Sequence, residues 1–248
     1  MLAVFKKELR SYFLNAIGYV YVGVFLAVSA LLFCYTTLSA KTYDTSTYFY
    51  FIIFSFIILI PLLTMKLFSE EKKLRTEQLL LTAPVSIWGM IFGKFLAAFT
   101  LFFGTVLVSC INFIPLSAYG AADGISGEAY GAPVGPVGAM IISSLVGIIC
   151  IGAAFIALGM FISSLTENQL AAAIITVAII VAMLLLDIAN SYINNYAIRY
   201  ILSLVCFMSR FAPFQSGLLD FSALLYYLSF AGVFLFLTVR VYDKRRWN

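Results

Sequence analysis

Six long apolar runs separated by short polar stretches organise this chain, at 16–38, 48–67, 87–114, 137–165, 169–186 and 223–241. Each reaches the roughly eighteen residues that a helix needs to cross the hydrocarbon core of a bilayer. The pattern therefore predicts an all-α polytopic membrane protein with six transmembrane helices, and an even count puts both termini on one side. Ahead of the first run, Leu2, Phe5, Leu9, Tyr12 and Phe13 share one helical face with Lys6, Lys7 and Arg10 beside it. That arrangement predicts an interfacial helix over 1–15. The run that follows continues past the length of a signal-peptide core, so Val28-Ser29-Ala30 is not read as a cleavage site and the first span is expected to be an uncleaved anchor.

Between the second and third runs the polarity inverts. Six of the eight residues from Glu70 to Glu77 are charged in a chain that is 10% charged overall. Holding them at the bilayer centre would cost roughly 15 kcal/mol or more, so the block lies outside the lipid. Ser69 followed by Glu70 and Glu71 reads as a capped helix start. Leu67, Leu74 and Leu81 are seven apart and line one face, leaving the charges to water or a partner. Ala83-Pro84 ends the helix and Ser86 caps the third span. The segment 69–86 is thus a short amphipathic helix tied at both ends to membrane helices, with Pro61 predicting a kink just before it. A push on it moves both spans.

Small residues mark where helices approach. Gly89, Gly93 and Ala97 recur every fourth position on the third span, and Gly138, Gly147, Gly152 and Gly159 punctuate the fourth. Gly89-x-x-x-Gly93-Lys94 lacks the spacing, the hydroxyl residue and the preceding strand of a phosphate loop, so Lys94 is expected to snorkel to the interface. On the opposite side, 116–136 is a loop rich in Gly, Ala and Pro. The stretch 190–222 is too polar to span, and predicts one or two short outer-side helices or a re-entrant hairpin sheltered by protein, broken at Pro213 and Gly217. Asp187 and Asp220 read as polar anchors at the ends of spans.

Composition narrows the class. The chain is 63% hydrophobic with mean hydropathy +1.06, beyond the range of a water-soluble domain. Of its fifteen basic residues only Lys41, Arg199 and Arg210 fall on one face of the predicted topology. The other twelve put both termini and the charged block in the cytoplasm by the positive-inside rule. The net charge of +4 therefore reflects orientation, and no basic groove with interleaved aromatics points to nucleic acid. Cys34, Cys110, Cys150 and Cys206 lack metal-ligand spacing and read as small hydrophobes.

The sequence contains no histidine. Glu70-Glu71-Lys72-Lys73-Leu74-Arg75 fits the Glu-Glu-x-x-x-Arg pattern of intramembrane prenyl-type proteases, but that chemistry also needs histidines, and neither a histidine metal site nor a Ser-His nucleophile can be built. No soluble domain fits in loops this short, so the whole of 1–248 reads as a single transmembrane domain unable to hydrolyse a nucleotide alone. The interleaved acids and bases of the block argue for a protein partner, because orientation alone requires no acids. A passive channel or structural membrane subunit stays open as the alternative, distinguishable by ion flux in the absence of nucleotide.

The block Phe68 to Ser86 resembles the first cytoplasmic loop of type-2 ABC exporter permeases, particularly their gliding-motility-like (GldF-like) branch. Gly93-Lys94-Phe95, the turn Ser163 to Gln169 and the ending from Leu225-Tyr226-Tyr227-Leu228 to Arg245-Arg246-Trp247 are similar to the same branch, with Arg75 a departure where many relatives carry glycine. The resemblance implies a half-transporter in the inner or plasma membrane, exporting a substrate as a dimer with a second permease, identical or sister. Glu70, Glu71, Lys72, Lys73, Arg75, Glu77 and Leu81 would then form the coupling helix seated on a separate ABC ATPase subunit. Ser164, Thr166, Glu167 and Asn168 would form a second cytoplasmic contact, and 190–222 would shield the outer end of the path. This chain would bind no cofactor, ATP and Mg residing on the partner, and an auxiliary membrane subunit with an outer domain often accompanies the branch.

Overall fold

A computed structural model describes residues 1–14, 16–39, 43–73, 86–117, 138–192, 199, 202 and 206–247. The helices are α1 (Leu2–Leu14), α2 (Ala16–Phe33), α3 (Ser46–Thr64), α4 (Ser69–Lys73), α5 (Ile87–Ser109), α6 (Gly138–Leu165), α7 (Gln169–Tyr192), α8 (Met208–Gln215) and α9 (Phe221–Trp247). Six helical segments are long and apolar enough to cross a membrane: Ala16–Leu38, Ser46–Lys73, Ile87–Ser117, Gly138–Leu165, Gln169–Asn190 and Phe221–Arg245. They coincide with the six apolar runs. No strand occurs among the described residues, and the protein is an all-α polytopic membrane protein.

The fourth span, α6, is the hub. It packs on α3, α5, α7, α8 and α9, and is the most buried of the six. Its small residues explain this position. Between apolar helices in lipid, association depends on close contact rather than on escape from water. Gly152 lies against the Phe102 ring of α5 and Gly159 against Thr64 of α3, each so closely that a Cβ would overlap the neighbour. Gly147 admits the Phe211 and Phe214 rings of α8 in the same way.

Of the Gly89, Gly93 and Ala97 stripe of α5, Gly93 is where the N-terminal helix makes its close approach. A Cβ at Gly93 would stand 3.1 Å from the Met1 carbonyl oxygen and 3.2 Å from Val4 Cβ, while one at Gly89 would meet Met1 at 3.8 Å. Ala97 is fully buried. Helix α1 exists as the pattern predicts, but the side it turns to the bundle carries Val4, Glu8 and Tyr12, while Leu2 and Phe13 are exposed. The Tyr12 hydroxyl donates to the Leu63 carbonyl at 3.1 Å. Burial, with the Glu8 charge adding to it, drives that phenol well above its usual pKa, so it stays a neutral donor.

Three local expectations are corrected. Ser69 is not a cap: it lies inside the helical turn, its hydroxyl donates back to the Met65 carbonyl, and the Phe68 carbonyl accepts the first bond, from Lys72 N–H at 3.1 Å. The charged segment thus begins as a continuation of the second span, joined by a turn at 65–68, because Met65 N–H still finds the Pro61 carbonyl at 2.9 Å. Lys94 does not snorkel; it is 1% exposed. Pro213 does not break α8, which runs on to Gln215 and is followed by Gly217, where φ is +85°. Ser86 does cap the third span, accepting from Gly89 N–H at 3.2 Å.

At the end of the bundle opposite the charged block, Asp187 of α7 organises the start of α8. Its Oδ2 accepts from Phe207 N–H at 2.7 Å and Met208 N–H at 3.0 Å, and its Oδ1 from Ser209 N–H at 3.3 Å. The Phe207 carbonyl in turn accepts from the Tyr227 hydroxyl at 2.8 Å, and the Phe214 carbonyl from Ser143 at 2.5 Å. Asp220 accepts from Ser222 N–H at 2.9 Å and so caps α9. Both acids read as simple anchors in the sequence are helix caps. The predicted loop 116–136 falls, from 118 onward, outside the described residues.

Candidate functional site

The charged end of the molecule is built from four pieces of chain that the sequence keeps far apart. They are α1, the 65–73 segment leaving α3, the start of α5, and the 163–168 turn between α6 and α7. At their centre Lys94 Nζ donates to Glu71 Oε1 at 2.8 Å, to Glu8 Oε1 at 3.1 Å and to the Leu67 carbonyl at 2.7 Å. The Phe68 ring lies 5.0 Å from the same ammonium. Three acceptors satisfy the three donors of the buried cation, which is what makes its burial tolerable. Lys7 completes the group from the rim, 3.6 Å from Glu8 and 3.5 Å from Glu71 with 60% of its side chain exposed. Two acids and two bases leave the cluster neutral.

Ser163 makes the second tie. Its Oγ accepts from Phe68 N–H at 3.1 Å and Ser69 N–H at 3.2 Å, and donates to the Met65 carbonyl at 3.3 Å. Those N–H groups open the α4 turn and have no partner within the helix, so a hydroxyl from α6 supplies what a local cap would. Next to it the Ser164 carbonyl accepts from the buried Lys72 ammonium and from Arg245 of α9 at 3.3 Å. The first charged segment and the second turn are therefore one hydrogen-bonded unit.

The predicted residues divide by the direction they face. Glu71 and Lys72 turn inward, where the sequence pattern left all the charges to water or a partner. Glu70 and Lys73 face out, Glu70 at 3.9 Å from Lys66 one turn earlier. In the second turn Ser164 is buried, Thr166 half-buried, and Glu167 and Asn168 exposed, Asn168 capping α7 through Leu170 N–H at 3.0 Å. Arg75, Glu77 and Leu81 lie outside the described residues. The sequence pattern does not single out Glu8. Its one legible signal is that it is the lone acid among Lys6, Lys7 and Arg10, four residues from both Val4 and Tyr12.

No group of three or more Cys, Asp or Glu able to hold a metal occurs among the described residues. The arrangement is a charged, partly exposed segment bonded to α1, α5 and α6. The family model of the ABC-2 family transporter protein matches residues 5–183, which include Lys7, Glu8, Glu71, Lys72, Lys94, Ser163 and Ser164 of this unit but not Arg245. The chain belongs to the ABC-2 transporter family. It is a membrane component of an ABC transporter and not the ATPase, and membership implies partnership with ATPase subunits. Among curated proteins no relative matches the chain. The unit thus has an exposed side, with Lys73, Glu167 and Asn168, and a buried side that ties it to α1, α5 and α6.

Proposed function

We propose that this ABC-2 permease is one half of an export pathway of the gliding-motility-like branch. Two permeases, identical or sister chains, assemble in the inner or plasma membrane with both termini cytoplasmic, and each docks a separate ATPase that holds ATP and Mg. Glu70 and Lys73, continuing into Arg75, Glu77 and Leu81, form the main contact; Glu167 and Asn168, beside Thr166 and Ser164, form the second. The observation that carries the reading is the Ser163 bridge. It makes the two predicted contacts one body, so a displacement of the ATPase surface is passed to α3 and α6 together. An auxiliary membrane subunit with an outer domain fits the outer face that α8 covers.

The structure changes which residues test this. Glu71→Lys would break the buried cluster and confuse misfolding with uncoupling, so the informative substitutions are at half-buried Glu70, Glu70→Lys, and at exposed Glu167, Glu167→Lys. Chains carrying both are expected to insert normally, to lose co-purification with the ATPase from native membranes, and to lose stimulated ATP turnover. Undiminished association and turnover would overturn the assignment. Ion flux through the purified chain without nucleotide would support a channel instead.

A further inference from the structure

We propose that the exposed basic stripe of α1 is a binding site for the phosphate headgroup of an anionic phospholipid. Lys6, Lys7, Arg10, Ser11 and Leu14 line a hollow of about 560 Å³ on the outer side of the helix. Lys6 and Arg10 are exposed, four residues apart and so one helical turn from each other. Neither makes an ion pair among the described residues, whereas Lys7, the adjacent residue, pairs with Glu8 and Glu71, and no acid lines the hollow. Two unpaired cations with a third beside them are complementary to a phosphate dianion or diester.

The flanks identify the source of that phosphate. Leu2 and Leu14, at the two ends of the helix, are each 74% exposed, and Phe13 is 45% exposed. Apolar side chains this open beside a basic stripe suit acyl chains below and headgroups level with the cations. A soluble phosphate would have no use for them. Lys7 gives the site a consequence. A headgroup drawing its ammonium away from Glu8 and Glu71 would remove the rim cation from the cluster around Lys94, so that lipid occupancy and the hold of α1 on the charged segment are linked.

The inference rests on the proposed function only in placing α1 at the membrane surface, and its test needs neither nucleotide nor ATPase, so either reading can fail alone. The full chain, purified in non-ionic detergent, is exposed to short-chain phosphatidylglycerol or to phosphatidylcholine of equal chain length, and retained lipid is counted by native mass spectrometry. Phosphatidylglycerol is expected to be retained in preference. Lys6→Gln with Arg10→Gln is expected to reduce that preference about twenty-five-fold, about fivefold per basic side chain. Both positions are exposed, and an unchanged melting temperature in phosphatidylcholine checks that the variant is folded. Equal retention of the two lipids, or a preference that the double substitution leaves intact, would overturn the site. Loss of phosphatidylglycerol in millimolar inorganic phosphate, with chloride of equal ionic strength without effect, would overturn the lipid as its ligand.

Discussion

Lys94 Nζ stands 2.8 Å from Glu71 Oε1, and this contact fastens the third span to the segment that leads out of the second. Glu8 of α1 shares the same ammonium at 3.1 Å, and both carboxylates are largely buried. Removing the cation alone strands two acids beside each other. Lys94→Met is expected to destabilise the protein by about 3–5 kcal/mol. Adding Glu8→Gln and Glu71→Gln to that variant should recover much of the loss, because the desolvated charges go together. Lys7→Gln, at the exposed rim, should cost less than about 1 kcal/mol. Thermal unfolding in one detergent ranks the three variants against the parent, and a Lys94→Met chain as stable as the parent would contradict the cluster.

A substitution at Ser163 tests the proposed coupling separately from folding. Its hydroxyl serves two N–H groups of the charged segment, and Ser163→Ala leaves both unsatisfied at a buried site. A stability loss of about 1–3 kcal/mol is expected. The more telling readout is functional: with the bridge gone, ATPase subunits should still bind the exposed residues while transport per ATP falls. Parallel loss of binding would mean the serine only supports the fold.

The parts of the fold set by composition were legible, and the parts set by partners were not. Apolar run length locates all six spans, since bilayer thickness fixes helix length independently of tertiary structure. Ser86 was readable as a cap because its acceptor and donor are three residues apart. Ser69 was misread by the same local logic, because the acceptor for its N–H comes from Ser163, on another helix. Lys94 looks like a snorkelling lysine until Glu8 and Glu71 are brought to it, and nothing in a single sequence records that meeting. Asp187 caps a helix that begins twenty-one residues later, beyond any capping pattern.

The hub role of α6 predicts a contrast between glycines. A methyl at Gly159 would overlap Thr64 across the α3 contact, whereas one at Gly104 of α5 meets nothing within 4 Å. Gly159→Ala is expected to part α3 from α6 and cost about 1–3 kcal/mol. Gly104→Ala should leave the melting temperature unchanged or slightly raised. Equal tolerance of both substitutions would show that the α3–α6 approach is looser than described.

The end of the bundle opposite the charged block offers a chemical readout of its own. Cys206 is buried directly before the α8 turn that Asp187 holds. Burial, with the Asp187 charge second, pushes its thiol up to about 11. At pH 8 the reactive thiolate is therefore scarce and also covered. Asp187→Ala removes the acceptor of three N–H groups and the negative charge together. Loss of a helix cap costs about 1 kcal/mol, enough to open the turn several-fold more often. Maleimide modification of Cys206 at pH 8, followed by peptide mass mapping so that Cys34, Cys110 and Cys150 serve as internal references, is expected to accelerate in Asp187→Ala and to rise less steeply with pH above 8 than in the parent. Asp187→Asn keeps an acceptor oxygen but drops the charge. It should lower the thiol pKa while leaving much of the cover in place, giving an intermediate rate. If both variants label Cys206 as slowly as the parent, with the same pH profile, then Asp187 neither holds the turn nor sets the thiol.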